Sequence, residues 1–464
     1  MRPCTRIAAA VVAAVALAAP AAALAAPTVL FVDVPSGPVS GGPRGLGVPI
    51  AIFGAGFGAS RGLSQVTIGG RPVARYVSWG RRNAHNPALD MVVVQPGPHA
   101  RSGAIVVTVA GRRSNATVGF RGTSGRVLAI ARTGADAGRC LLRRPCATIS
   151  YAQAQMRPGD ALLVRGGVYA ESEVWIRGDM GQSGRPQRAK VIKAYPGERA
   201  VLANAARPVI LDADYVTVAG IEFRNGKSID IPDTGLPGHR GDRLVDDVFS
   251  GTVGFDAVGL HGDGHLAAGD VCAVSGSTVG TEGHCFYVSY GSGDRLLYNV
   301  ASGAPGYGIH VFDQQRSSSD FRRVIRNLTI VGNRLASSTE RSGLILAMGD
   351  EGHLGNRIVG VTIRGNLFTH SNHLGLTIGP NVANVRIVGN RFVQNGRQGL
   401  YIADDATIDG VLVARNRFVE SANPFCRSNC SWYALAHLQI GPRARGVRLA
   451  HNRYGPGRPI VIRR

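Results

Sequence analysis

At 464 residues the chain can hold two or three domains. Its formal charge of +22 would ordinarily imply a polyanionic partner. Only three basic residues are lysines, Lys190, Lys193 and Lys227, and the remaining arginines are scattered; with abundant Ala and Gly this is the codon bias of a GC-rich, bacterial genome. The pattern excludes a basic tract for nucleic acid and leaves an acidic polysaccharide compatible with the charge.

The N-terminus reads as a secretory signal. Met1-Arg-Pro-Cys-Thr-Arg precedes an apolar stretch from Ile7 to Ala19, and Ala23-Leu24-Ala25 is a small-residue cleavage pattern, giving a signal peptide over 1–25. Nothing later approaches about 20 uninterrupted apolar residues. The mature chain is therefore expected to be secreted, periplasmic or at the cell surface, without an integral membrane segment, and monomeric. Loss of Cys4 with the signal leaves six cysteines in three close pairs: Cys140 with Cys146, Cys272 with Cys285, and Cys426 with Cys430. In an exported chain an even count reads as a disulfide set, with buried free thiols as the alternative.

Residues 28–120 carry short strands at close spacing, near Thr28–Val34, Pro49–Phe53, Ser64–Ile68, Met91–Val94 and Ile105–Val109, bounded by Gly and Pro. That is the pattern of a β-sandwich. Its runs Pro35-Ser-Gly-Pro-Val-Ser-Gly-Gly, Val48-Pro-Ile-Ala-Ile-Phe-Gly-Ala-Gly-Phe-Gly and Val66-Thr-Ile-Gly-Gly resemble the IPT/TIG immunoglobulin-like domains. The resemblance implies a binding or spacer module and no catalysis. A linker is expected over 121–138.

From 139 to 464 the sequence repeats. A strand ending in Asn and then a bulky residue recurs as Leu328-Thr-Ile-Val-Gly-Asn333, Val361-Thr-Ile-Arg-Gly-Asn366, Val385-Arg-Ile-Val-Gly-Asn390, Val411-Leu-Val-Ala-Arg-Asn416 and Val447-Arg-Leu-Ala-His-Asn452. A second short strand follows each time, such as Gly343-Leu-Ile-Leu and Gly375-Leu-Thr-Ile. Strands this short bury no face alone; stacked as coils about 4.8 Å apart they enclose one core. The expected fold is all-β: a sandwich followed by a right-handed parallel β-helix, with the asparagines in a ladder at one bend. Cys146-Ala-Thr-Ile-Ser-Tyr-Ala-Gln-Ala-Gln-Met predicts a short helix that caps the first coil.

That beginning, with Val191-Ile-Lys-Ala-Tyr-Pro-Gly-Glu198 and Tyr215-Val-Thr-Val-Ala-Gly-Ile-Glu-Phe-Arg-Asn225, resembles the pectate-lyase-like β-helix superfamily. It is most similar to the branch of chondroitinase-B-like and family-nine polysaccharide lyases and the related alginate epimerases. The resemblance implies a polysaccharide partner, a Lys or Arg base, and Ca²⁺ held by acidic or amide oxygens.

Outward residues at one strand position of a β-helix stack into a column, so function should surface as a polar column. Matching Ile229 to Ile309 sets Asp230 and Asp233 over His310 and Asp313; between them lie His261, Asp263, His284, Tyr287 and Tyr290. Later coils contribute Ile345, Thr377, Tyr401 and Gln439 to the same column. Chemistry should therefore concentrate in residues 227–313. Lys227, His284, Tyr287 and His310 are the candidate catalytic groups, His261, Tyr290 and Asp313 the candidate substrate contacts, and Asp230, Asp233 and Asp263 the candidate calcium ligands. The functional expectation is a lyase that removes the C5 proton of a uronate and expels the 4-linked oxygen. Open alternatives are a hydrolase or C5-epimerase on the same scaffold, the latter without the Tyr-Gly-x-Asp-x-His-Asp pattern of alginate epimerases, and a non-catalytic glycan-binding rod.

Overall fold

The computed structural model describes residues 25–82, 86–171, 173–203, 209–224, 229–232, 238–251, 256–273, 283–312, 322–349, 355–419, 436–456 and 460–462. The expected signal peptide, apart from Ala25, and the pair Cys426 and Cys430 lie outside them. Both other cysteine pairs are disulfides, Cys140–Cys146 and Cys272–Cys285. Among the described residues no helix is long and apolar enough to cross a membrane.

The first domain is two packed sheets. One runs in the order Thr28–Val32, Ile50–Ala55, Asp90–Gln95, Arg75–Arg82; the other runs Ser36–Pro38, Gly119–Thr123, Gly103–Val109, Gln65–Ile68, Arg71–Pro72. Alternating apolar residues such as Val29, Ile50, Ile52, Val66, Val92, Val94, Ile105 and Val107 fill the space between them. Sequence patterning missed Arg75–Arg82, which is rich in polar residues and irregularly paired with Asp90–Gln95.

All later strands but a few short corner pieces belong to three parallel faces. Face one begins with Val127–Ile130, Ala161–Val164 and Lys190–Ala194; face two with Gly167–Tyr169 and Ala200–Ala203; face three with Val174–Arg177 and Val209–Asp212. Each strand hydrogen-bonds the equivalent strand of the next coil, which defines a parallel β-helix. The expected linker over 121–138 is partly in strands. Gly119–Thr123 closes the sandwich and Val127–Ile130 already forms the first rung, so the helix starts before residue 139. The helix Ile149–Ala154 caps this end as expected, with Thr148 Oγ1 accepting the Tyr151 N–H as its N-cap and Ile149 and Ala152 facing the core.

The asparagine ladder runs along the corner between faces one and two. Asn333 Oδ1 accepts the Asn299 N–H at 2.8 Å, and Asn366, Asn390, Asn416 and Asn452 repeat this, each bonding the N–H of the previous ladder residue. Each amide also donates through Nδ2 to a carbonyl of the preceding coil, as Asn366 does to Ile330 O at 2.9 Å. Beside the ladder Phe368, Phe392, Phe418 and Tyr454 stack with ring centroids 4.8, 4.6 and 5.2 Å apart.

Upstream the same corner position holds aspartates. Asp270 N–H donates to Asn299 Oδ1, Asp247 N–H to Asp270 Oδ1, and Ile221 N–H to Asp247 Oδ1. Asp270 Oδ2 is buried without a hydrogen-bond partner among the described residues, at the position where asparagine places its donor. A second corner column repeats the arrangement with Asp242, His265 and Asp294. Burial drives the Asp242, Asp247 and Asp270 carboxyls well above the usual range and Asp294 up to about 8; repulsion from Asp246 adds to Asp247 and Asp270, and Asp263 adds to Asp294. The same burial pushes His265 down to about 3. A neutral carboxyl can donate as the asparagine amide does; a carboxylate there cannot.

The sandwich sits on face one. Phe31, Phe53 and Leu89 pack on Val245, Leu266 and Ala268, and Arg243 donates to Val32 O at 2.6 Å. Lys193 pairs with Asp33 in this buried interface and donates to Pro49 O at 2.8 Å.

Two outcomes follow for stability. Because the folded-state pKa of Asp294 is raised above its unfolded value of about 3.9, its stabilisation is complete below that value and is lost as pH climbs toward about 8. Thermal denaturation should show Tm falling over that interval, with a shallower fall in Asp294→Asn and Asp270→Asn; an unchanged slope in both would show that these carboxyls are not protonated. Asp33→Ala should cost roughly 3–5 kcal/mol by stranding the Lys193 ammonium, and Asp33→Leu combined with Lys193→Met should cost much less, as measured by urea unfolding.

Candidate active site

Face three presents the polar column, and the match of Ile229 to Ile309 holds, with Gly259 rather than His261 in line between them. Ile229, Val258, Phe286 and Ile309 occupy one core position, so Asp230, Gly259, Tyr287 and His310 follow one another on the outer surface. Ile345, Thr377, Tyr401 and Gln439 continue that line. Three residues before this line Asp256 stands beside His284, and Tyr307 follows, its N–H donating to His284 Nδ1 at 2.9 Å.

These columns make a compact aromatic and imidazole cluster. His284 and His310 meet edge to face at 4.2 Å between ring centroids, and Tyr287 lies 5.2 Å from His310. Tyr307 stacks on His310 at 4.7 Å and Phe312 stacks on it at 5.0 Å. His261 stands 5.7 Å from Tyr287. Its Nδ1 is 2.5 Å from Ser289 Oγ, and its Nε2 is 3.9 Å from Asp230 Oδ1. Gly259 keeps a notch at this point: a Cβ there would come within 2.7 Å of Asp230 Oδ1 and 3.2 Å of His261 Nε2.

Charge and burial divide the imidazoles into two roles. Burial, reinforced by the Arg341 guanidinium, pushes His284 down to about 4. Burial, the neighbouring His284 and then Arg341 hold His310 well below the ordinary histidine range. Both rings are therefore neutral at neutral pH. A backbone N–H can only donate, so His284 Nδ1 is an acceptor and its proton sits on Nε2. His310 Nδ1, by contrast, is buried without a hydrogen-bond partner among the described residues. Burial also raises the Tyr307 phenol, opposed by Arg341.

Of the expected site residues, Asp230, His261, His284, Tyr287 and His310 come together; Lys227, Asp233 and Asp313 lie outside the described residues. Two expectations need correction. Tyr290 is only 1% exposed and is not a solvent-facing substrate contact. A bulge between Leu260 and His261 pairs His261 with Tyr290, which changes the side-chain parity and tucks Tyr290 against His261 at 6.1 Å and under the Arg323 guanidinium. Asp263 does not join Asp230: it lies beyond the bulge, accepts the Ser292 N–H at 2.9 Å and faces Arg240. Among the described residues no three His, Cys, Asp or Glu side chains converge in a way that would hold a metal ion, and Asp233 lies outside them, so no step is routed through calcium.

Sequence reasoning missed Tyr307, Arg341, Phe312, Asp256 and Gly259. Tyr307 was accessible by counting back two residues from Ile309 as His284 stands back from Phe286. Arg341 lies in a turn between faces two and three, where no strand register applies.

No family model matches the chain, and no curated protein matches it. Solved structures resemble it distantly. XylC in complex with xylose is 12% identical, with a TM-score of 0.44 over 64% of this chain and 76% of that one. The pectate lyase Pel9A is 15% identical, with a TM-score of 0.33 over 71% of this chain and 76% of that one. The catalytic unit of an α-1,3-glucanase from Streptomyces thermodiastaticus is 12% identical, with a TM-score of 0.36 over 85% of this chain and 84% of that one.

The tautomer assignment has a direct check. In ¹⁵N-detected NMR of labelled protein, His284 should titrate near pH 4 with its proton on Nε2 above that pH, and His310 should titrate well below the ordinary histidine range. Ordinary titration near 6.5 for both rings would contradict the burial argument.

Proposed function

We propose that the protein is a secreted, polysaccharide-active enzyme that cleaves an acidic, uronate-containing glycan by β-elimination. The observation that carries this reading is the pair of neutral, packed imidazoles on one outer strip, one holding a fixed Nε2–H and the other an unpartnered nitrogen. A buried, unpartnered imidazole nitrogen is a costly arrangement of the kind that collects at functional sites, which supports a functional role for His310. Neutral His310 removes the C5 proton, His284 donates its Nε2–H to the sugar carboxylate, and Arg341 stabilises the negative charge that develops there. Tyr287 supplies a proton to the departing 4-linked oxygen. The same four groups could instead return a proton to C5 from the other side, which is the epimerase alternative, or bind without cleavage. Lys227 is the alternative base that the superfamily resemblance implies, and calcium bound through Asp230 and Asp233 remains part of that alternative.

The test is formation of unsaturated ends, read at 235 nm, on polygalacturonate and alginate, with and without EDTA. His310→Gln and Tyr287→Phe should each lower the rate by about 10²–10⁴-fold. Lys227→Ala should leave it within a few-fold. Full activity in the first two variants would remove this site from the reaction. Tight glycan binding without product in the wild type would select the non-catalytic reading.

A further inference from the structure

Trp175 occupies the same outward column as the proposed site, at its N-terminal end: it pairs with Ile210, which pairs with Asp230. It is 40% exposed, so its indole is not part of the core. The ring is nonetheless fixed. Its Nε1–H donates to Asp212 Oδ2 at 3.3 Å, and Arg177, two residues along the same strand, sets its guanidinium 4.8 Å from the ring centroid. The other oxygen of Asp212 lies 3.2 Å from His239 Nε2, and His239 Nδ1 lies 3.6 Å from Asp214 Oδ1, close approaches that make no hydrogen bond. Thus a large apolar surface is kept in one orientation at the surface by polar groups that do nothing for the interior.

We infer that Trp175 is the stacking platform of a distal glycan subsite, with Arg177 and Asp212 at its edge, that engages a chain extending from the proposed catalytic cluster toward the capped end of the helix. A pyranose ring offers an apolar C–H face and a polar circumference. The indole fits the first; Asp212, an acceptor, and Arg177, whose Nε and Nη2 pair with Asp179 and whose Nη1 can donate, fit the second. Four coil steps separate Trp175 from Tyr287, about 19 Å at the usual strand spacing. Only an oligosaccharide of several sugars spans that length, so the subsite selects for chain length and leaves the chemistry at His310 untouched.

This inference rests on the polysaccharide reading, and the experiment separates the two. Oligogalacturonates and alginate oligomers graded by length are titrated against the full chain and its Trp175→Ala and Trp175→Phe variants, with thermal melts as a folding control. Affinity for long oligomers should drop about tenfold in Trp175→Ala, dimers should bind equally to all three proteins, and Trp175→Phe should recover most of the loss. Unchanged long-chain affinity, or an equal loss at every length, overturns the subsite. If the wild-type protein binds no oligomer of either series while remaining folded, the acidic-glycan reading itself fails and the subsite falls with it.

Discussion

Parallel stacking of coils leaves every corner with backbone N–H groups that the strand ladder does not satisfy, and the fold depends on how those corners are closed. Here one side-chain oxygen per coil accepts the N–H of the coil before it, through Asp247, Asp270, Asn299, Asn333 and the asparagines beyond. The repeat distance in sequence varies because insertions leave by the turns, yet the vertical spacing is held by these bonds and by the stacked phenylalanines. Alignment of outer-surface columns follows from that constraint, and so does the existence of a site built from residues far apart in the chain.

The corner chemistry changes along the helix. Asparagine closes the C-terminal coils with both a donor and an acceptor, whereas the middle coils use aspartate, which must keep its proton to do the same work. The coils that present the imidazole cluster are therefore those whose corners respond to pH. Stability there is set by groups that never meet solvent.

The cluster draws its properties from packing. Ordinary histidines on a strand surface would titrate near neutrality and be solvated; His284 and His310 are held neutral because Tyr287, Tyr307 and Phe312 exclude water from them while Arg341 opposes a further positive charge. The sandwich takes no part in this. It docks on face one through apolar contacts and the Lys193–Asp33 pair, leaving face three uncovered by these contacts.

What the sequence determined by itself was everything carried by period and parity. The recurring Asn and its bulky neighbour gave the coils, and the match of Ile229 to Ile309 put Asp230, Tyr287 and His310 in one column, because side chains alternate strictly along a regular strand. Tertiary structure decided whatever breaks alternation or lies in a turn. The bulge at Leu260 and His261 sent Tyr290 inward, and the pairing of Asp230 with Gly259 left Asp263 four residues further along, beside Arg240. Arg341 reached the cluster from a turn. The protonation of both histidines was likewise invisible in sequence, since burial and neighbouring charge, properties of the folded assembly alone, set a pKa.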